Sequence, residues 1–167
     1  ELTIDAQGNS RVFLINDGSS NETIDVTLGG LTITGGTATG NGGGISNREN
    51  LTLTNSTVSS NSASFGGGIH NRYGTATLTN STVSGNSANN GGGIDNSYGT
   101  ATLTNSTVSG NSANSSGGGI DNSFGTATLT NSTVSGNSAN FRGGGIDNRS
   151  GTATLTNSTV SGNSANR

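Results

Sequence analysis

One phrase returns along this chain at near-constant spacing, and it limits what the chain can build. Gly-Gly-Gly-Ile ends at Ile45, Ile69, Ile94, Ile120 and Ile146, at spacings of 24, 25, 26 and 26 residues. Each copy is followed by Thr-Leu-Thr-Asn-Ser-Thr-Val-Ser, with its leucine at Leu53, Leu78, Leu103, Leu129 and Leu155. Self-similarity at such a period marks a solenoid, in which one repeat cannot bury its apolar side but stacked repeats can. A weaker copy precedes these, over residues 27–38, where Leu28 and Ile33 lie five apart as Leu53 and Val58 do. The extra residues, Ser115-Ser116 and Phe141-Arg142, all fall just before Gly-Gly-Gly. Insertions confined to one place mark a loop on one side of the solenoid. The chain is read as one β-solenoid domain over 1–167, with divergent N-terminal coils in 1–41 and near-identical repeats in 42–167. Glu1 leads straight into a strand-like segment, and the repeats reach Arg167 without a change of character. The expectation is a segment of a longer solenoid, or a unit that stacks end to end on its own copies.

Within a coil the residues alternate. In Thr75-Ala76-Thr77-Leu78-Thr79, alanine and leucine share one face and the threonines the other, the two-residue period of a strand. Val83 is flanked by Thr82 and Ser84 in the same way, and Ile94 after three glycines opens another short strand. No stretch shows a helical period. The expected fold is all-β: a right-handed parallel β-helix of about six coils of 24–26 residues. Each coil has three short strands, with Ile, Ala, Leu, Val and Ala pointing inward. The right-handed sense follows the crossover rule for parallel strands, and no six-residue repeat points to a left-handed helix.

Composition agrees with a narrow, repeating core. Leu, Ile, Val and Phe number only 30, too few for a wide globular core, yet just 9% of residues are charged, so disorder driven by charge is not expected. There is no cysteine for a disulfide or thiolate site. The six basic residues are scattered arginines in a chain of net charge −3, which argues against nucleic acid. No apolar run reaches membrane-spanning length.

Stacking places identical residues in columns, where asparagine amides can form ladders along the axis. Ladders are expected at Asn80, Asn105, Asn131 and Asn157; at Asn86, Asn111, Asn137 and Asn163; and at Asn47, Asn71, Asn96, Asn122 and Asn148. The glycines serve turns and close coil contact. The phrase Gly-Gly-Gly-Ile followed by Val-Ser-Gly-Asn (83–86, 108–111, 134–137 and 160–163) resembles the paired repeats of chlamydial polymorphic outer-membrane proteins, with Val and Gly where that family has Phe and Ala. The phrasing over nearly the whole chain is closer still to pectate-lyase-like β-helix repeats of large bacterial surface proteins. That resemblance implies a right-handed β-helix in a secreted or cell-surface setting, and no particular activity.

Few residues offer chemistry. His70 is the only histidine and shares its slot with Ser46, Asp95, Asp121 and Asp147, so it reads as a surface substitution. Asp95, Asp121 and Asp147 form a carboxylate column. It is a weak candidate for cation binding, with Arg72 and Arg149 as alternative partners. The Asn-Ser-Thr triplets match the N-glycosylation pattern, but their asparagines are assigned to a ladder. Tyr73, Tyr98 and Phe124 are expected to stack. The sharpest signal is a Thr-x-Thr grid of Thr52/Thr54, Thr77/Thr79, Thr102/Thr104, Thr128/Thr130 and Thr154/Thr156. Its spacings should be about 6.7 Å along a strand and about 4.8 Å between coils. A flat grid of this kind could order water as an ice-binding face does. Thr75, Thr100, Thr126 and Thr152 add a third column. The expected function is a non-catalytic, extracellular or cell-surface scaffold or adhesive, without a cofactor. The alternatives are an ice binder acting through the threonines and a polysaccharide-binding or -degrading β-helix. The expected partners are flanking coils, cell-surface glycans or ice, with no nucleic acid and no membrane insertion.

Overall fold

A computed structural model describes residues 2–19 and 23–166. Glu1 and Arg167, where the sequence reading sets the two ends of the solenoid, lie outside the described residues. The described chain is all-β, without helix. Its strands form four parallel sheets running along the solenoid, about six coils in all. One coil shows the order: Ile69–Arg72, Thr75–Thr79, Thr82–Ser84 and Ser87–Asn90. We name the four sheets IDN, TATLT, TVS and SAN after these segments. Each strand pairs with its equivalents above and below, as Thr75 does with Thr100 and Asn50.

The sequence reading expects three strands per coil; the structure has four. The additional one is the Ser-Ala-Asn segment, whose composition reads as a turn. It is a strand because the coils above and below offer it a ladder: Ser87 pairs with Ser62 and Ser112, and Ala88 with Ala63 and Ala113. The inserted residue at Ser115-Ser116 is absorbed here as a register shift opposite Ala88–Asn90. The weak N-terminal copy is in the expected register, with Leu28 beside Leu53 and Ile33 beside Val58.

The core is a stack of near-identical layers. Ile94, Ala101, Leu103, Val108 and Ala113 are all buried, and so are their equivalents from Ile69 to Ala88. This is the inward set that alternation predicts. Between these apolar positions sit buried asparagines and serines at the corners. Burying a polar side chain is costly unless its hydrogen bonds are met, and the corners meet them coil to coil. Asn47 Nδ2 donates to Asn71 Oδ1 at 2.8 Å, Asn71 to Asn96 and Asn96 to Asn122 both at 2.7 Å, and Asn122 to Asn148 at 2.6 Å. Asn61, Asn86, Asn111, Asn137 and Asn163 form a second ladder, each donating to the next at 2.9–3.1 Å.

The third expected ladder is corrected. Asn80, Asn105, Asn131 and Asn157 are exposed and have φ near +50°; in place of a continuous ladder, Asn105 Nδ2 donates to Asn80 Oδ1 at 3.3 Å. The left-handed conformation, which asparagine tolerates better than most residues, turns the chain so that the following serine faces inward. Serine then carries the ladder: Ser81 N–H donates to Ser106 Oγ and Ser106 N–H to Ser132 Oγ, both at 3.1 Å. The asparagines of the Asn-Ser-Thr triplets are therefore free of the ladder role that argued against their modification.

The Gly-Gly-Gly segment is needed for two different reasons. Its first glycine has positive φ, +61° at Gly91, whereas a Cβ on the second, Gly92, would sit 2.4 Å from Ser112 O. The segment passes so close to neighbouring backbone that only hydrogen fits.

Candidate functional site

From Gly66 onward, four copies of the repeat can be compared residue by residue. Apart from the frame Gly-Gly-Gly-Ile-x-Asn-x-x-Gly-Thr-Ala-Thr-Leu-Thr-Asn-Ser-Thr-Val-Ser-Gly-Asn-Ser-Ala-Asn, they differ only at a few slots. The slots are His70/Asp95/Asp121/Asp147, Arg72/Ser97/Ser123/Arg149, Tyr73/Tyr98/Phe124/Ser150, and the residues just before Gly-Gly-Gly. The fold brings all of them to one side. The first two are on IDN strands, alternating with the core residues Ile69 and Ile94, so they take the face opposite the core. The third lies at the turn leaving that sheet. The fourth forms a ridge at the turn entering it, with Phe65 and Phe141 exposed. The TATLT and TVS sheets carry no difference among these copies, and the SAN sheet differs only at its last residues, Phe65, Asn90 and Ser115-Ser116, on the shoulder beside Gly-Gly-Gly.

The aromatic side of this face is a stack, as alignment predicts. Tyr73 and Tyr98 rings are 5.4 Å apart, and Tyr98 and Phe124 are 4.9 Å apart and within 4° of parallel. All three are more than half exposed. Arg72 lies over the Tyr73 ring at 5.0 Å, and its Nη2 donates to the Tyr73 hydroxyl at 3.3 Å. Each aromatic is held at φ near +60°, a conformation that costs a bulky residue and that ring stacking along the axis helps to offset.

The floor of the face differs from expectation. His70 reads as a surface residue but is only 4% exposed, and Asp95 and Asp121 are 3% and 1% exposed. The segment around the first glycine of each Gly-Gly-Gly lies over them: a Cβ on Gly117 would meet the Cα and Cβ of Asp121 at 2.6 Å. The carboxylates are therefore not a solvated column, and each has its own partners. Asp95 Oδ1 faces His70 Nδ1 at 3.1 Å and accepts from Ser97 Oγ at 2.7 Å. Asp121 accepts from Ser123 Oγ at 2.7 Å and from Arg149 Nη2 at 3.0 Å. Asp147 is an ion-pair partner of Arg149 Nε at 3.2 Å, without hydrogen-bond alignment, and of Arg142 at 3.8 Å. Burial pushes the Asp121 carboxyl above its ordinary pKa, and the neighbouring Asp95 charge adds to this; Ser123 and Arg149 oppose it. Among the described residues, no three or more His, Cys, Asp or Glu side chains gather as a metal-binding set. Arg149 takes the ion-pair role foreseen for it, whereas Arg72 turns to Tyr73.

Two hollows open along this face. One, of about 560 Å³, is bordered by Asn16, Thr23, Arg48, Glu49 and Tyr73 among others. Glu49 is buried there and accepts from the Asp17 and Ile24 N–H groups. The other, of about 220 Å³, lies over His70. Sequence reasoning singled out His70 and the aromatics but missed Asn41, Phe65 and Ser97 beside them. The signal for the face was available in the pattern of differences among copies.

The threonine grid lies on the TATLT sheet. Thr52, Thr77, Thr102, Thr128 and Thr154 are in register, as are Thr54, Thr79, Thr104, Thr130 and Thr156. From Thr52 to Thr130 these threonines are half-buried, because neighbouring columns shield one another; Thr154 and Thr156 are exposed. The third column is more open, with Thr100, Thr126 and Thr152 exposed and Thr75 half-buried. No protein-family model, curated protein or solved structure matches the chain.

Proposed function

We propose that the protein is a non-catalytic, extracellular or cell-surface scaffold whose adhesive surface is the outer IDN face. The observation that carries this is the confinement of every difference among the four copies to that face and its two shoulders. A frame under packing constraint repeats, because each column must match its neighbours. A surface that recognises something departs from the repeat where contact is made. The departures here are residues suited to recognition: tyrosine, phenylalanine, arginine, histidine and aspartate. The resemblance to β-helix repeats of bacterial surface proteins supports the same setting. The fitting ligand class for exposed rings beside planar polar groups is a cell-surface glycan.

Antibody labelling of intact source cells tests the location; label confined to the cytoplasm would refute it. Adhesion is tested by binding of protein-coated beads to a glycan array. Tyr98→Ser/Phe124→Ser should abolish capture, and Thr102→Tyr/Thr128→Tyr should leave it intact. Loss only in the threonine variant would overturn the assignment of the face.

A second reading, ice binding through the TATLT sheet, is favoured by the unbroken register of its threonines over five coils. Thermal hysteresis in the parent that disappears in Thr102→Tyr/Thr128→Tyr would establish it. No hysteresis in the folded parent would leave the threonines as ordinary outward strand residues.

A further inference from the structure

The corner between the TATLT and TVS sheets holds an amide in coil after coil that the fold itself hardly uses. Asn55, Asn80, Asn105, Asn131 and Asn157 stand there, each opening an Asn-Ser-Thr triplet. All five are exposed and have φ near +50°. Glycine adopts this conformation at the least cost, and the first coil uses it: Gly30, in the position equivalent to Asn55, has φ +68°. The next corner, between TVS and SAN, likewise takes Gly85, Gly110, Gly136 and Gly162 at φ of 60–63°. The backbone at the Asn80 corner is therefore satisfied without an amide.

The left-handed residue also sets where the rest of the triplet points. Ser81 turns inward and carries the serine ladder. Thr82 then faces outward, opposite the core residue Val83. The asparagine amide and the threonine hydroxyl two residues on thus lie together on the outside. Among the described residues, no hydrogen bond engages Nδ2 of Asn55, Asn80, Asn131 or Asn157, and Asn105 Nδ2 makes one bond of 3.3 Å. The hydroxyls of Thr82 and Thr107 are equally unengaged. Three further Asn-x-Ser/Thr triplets contrast with these. Asn50 Nδ2 donates to Asp25 Oδ1 at 2.9 Å, Asn114 Nδ2 to Asn89 Oδ1 at 3.1 Å, and Asn148 Nδ2 to Gly151 O at 2.9 Å. An accessible Asn-x-Ser/Thr triplet is the acceptor pattern for N-linked sugars, and the corner column presents both of its recognition groups. This corner adjoins neither the IDN sheet nor its two shoulders, so groups attached there leave the adhesive face uncovered.

We propose that the Asn55, Asn80, Asn105, Asn131 and Asn157 column is a set of N-glycosylation acceptors. The co-substrate is a sugar activated as a nucleotide- or lipid-linked diphosphate. Its C1–O bond breaks and the electron pair leaves with the diphosphate. The C1–Nδ2 bond forms, and the amide nitrogen gives up one proton. The inference goes beyond the adhesive reading and does not depend on it.

The test uses native protein isolated from source cells and digested with chymotrypsin, whose cleavage after Tyr98 and Phe124 releases residues 99–124 with Asn105. Mass spectrometry with electron-transfer fragmentation then locates any added mass. Hexose or N-acetylhexosamine increments are expected on Asn105 and on other asparagines of the column. Column peptides at their bare sequence mass, or sugar confined to Asn114 or to threonine hydroxyls, would overturn the assignment. Variants produced in the same cells test the triplet itself. Thr107→Val keeps the outward β-branched shape but removes the hydroxyl, and should abolish the increment on Asn105 without lowering that on Asn80. Thr107→Ser should retain it. Asn105→Gly, which copies Gly30, should lose it with the fold intact by circular dichroism. Sugar persisting on Asn105 in Thr107→Val would overturn the reading of the triplet as the acceptor.

Discussion

Replacing Asn111 with alanine should cost far more stability than the same change at Asn105, six residues earlier. Asn111 is buried and its side chain holds three neighbouring segments. Its Oδ1 accepts from Asn86 N–H at 2.9 Å and Asn86 Nδ2 at 3.0 Å; its Nδ2 donates to Val83 O at 3.0 Å and Asn137 Oδ1 at 2.9 Å. Truncation removes all four bonds and leaves the Asn86 N–H buried without its partner. At a net contribution of about 1 kcal/mol per bond, with an orphaned buried donor toward the upper end of about 1–3 kcal/mol, the loss is about 4–6 kcal/mol. Asn105 is exposed and makes one bond of 3.3 Å. Its main contribution is tolerance of φ +49°, so Asn105→Ala should cost only about 1–2 kcal/mol, and Asn105→Gly less. Urea unfolding followed by far-ultraviolet circular dichroism measures each value. An Asn111→Ala loss below about 1 kcal/mol, or one equal to that of Asn105→Ala, would refute the view that the buried amide ladder holds adjacent coils together.

The glycines provide a second contrast. Gly118→Ala should prevent native folding or lower its thermal midpoint severely, because the new Cβ would meet Ser138 O at 2.2 Å and Gly144 O at 2.4 Å. Gly110 has open space around it and φ +62°, and Ser60 occupies the matching position two coils earlier at φ +56°. Gly110→Asn should therefore change stability by less than about 1 kcal/mol, as calorimetry can check. Acidity should act through Asp121. Its folded-state pKa is raised, so above the ordinary carboxylate range the folded state carries a penalty that disappears as pH falls through the raised value. The thermal midpoint attributable to this group should rise on acidification from neutral pH, and Asp121→Asn should remove that rise. An unchanged pH profile in the variant would show that the carboxylate is already well solvated.

Sequence by itself determined the period, the inward residues and the register. Ile69, Ala76, Leu78 and Val83 were legible as core because alternation along a strand assigns one face per residue. Leu28 and Ile33 were placed correctly because a register slip of one residue would turn every apolar side chain outward. Two ladders and the aromatic stack followed from the same alignment of equal residues. Only the tertiary structure decided what lay beyond local periodicity. A side chain opposite the core is solvated only if nothing covers it, and His70, Asp95 and Asp121 are buried where the chain doubles back at the first glycine of Gly-Gly-Gly, four residues earlier, and passes against them. The choice between asparagine and serine at the Asn80-Ser81 corner depended on backbone φ, since a left-handed residue turns its successor inward. The Ser-Ala-Asn strand formed against its composition because backbone hydrogen bonds from adjacent coils, rather than side-chain preference, dictate conformation inside a stack.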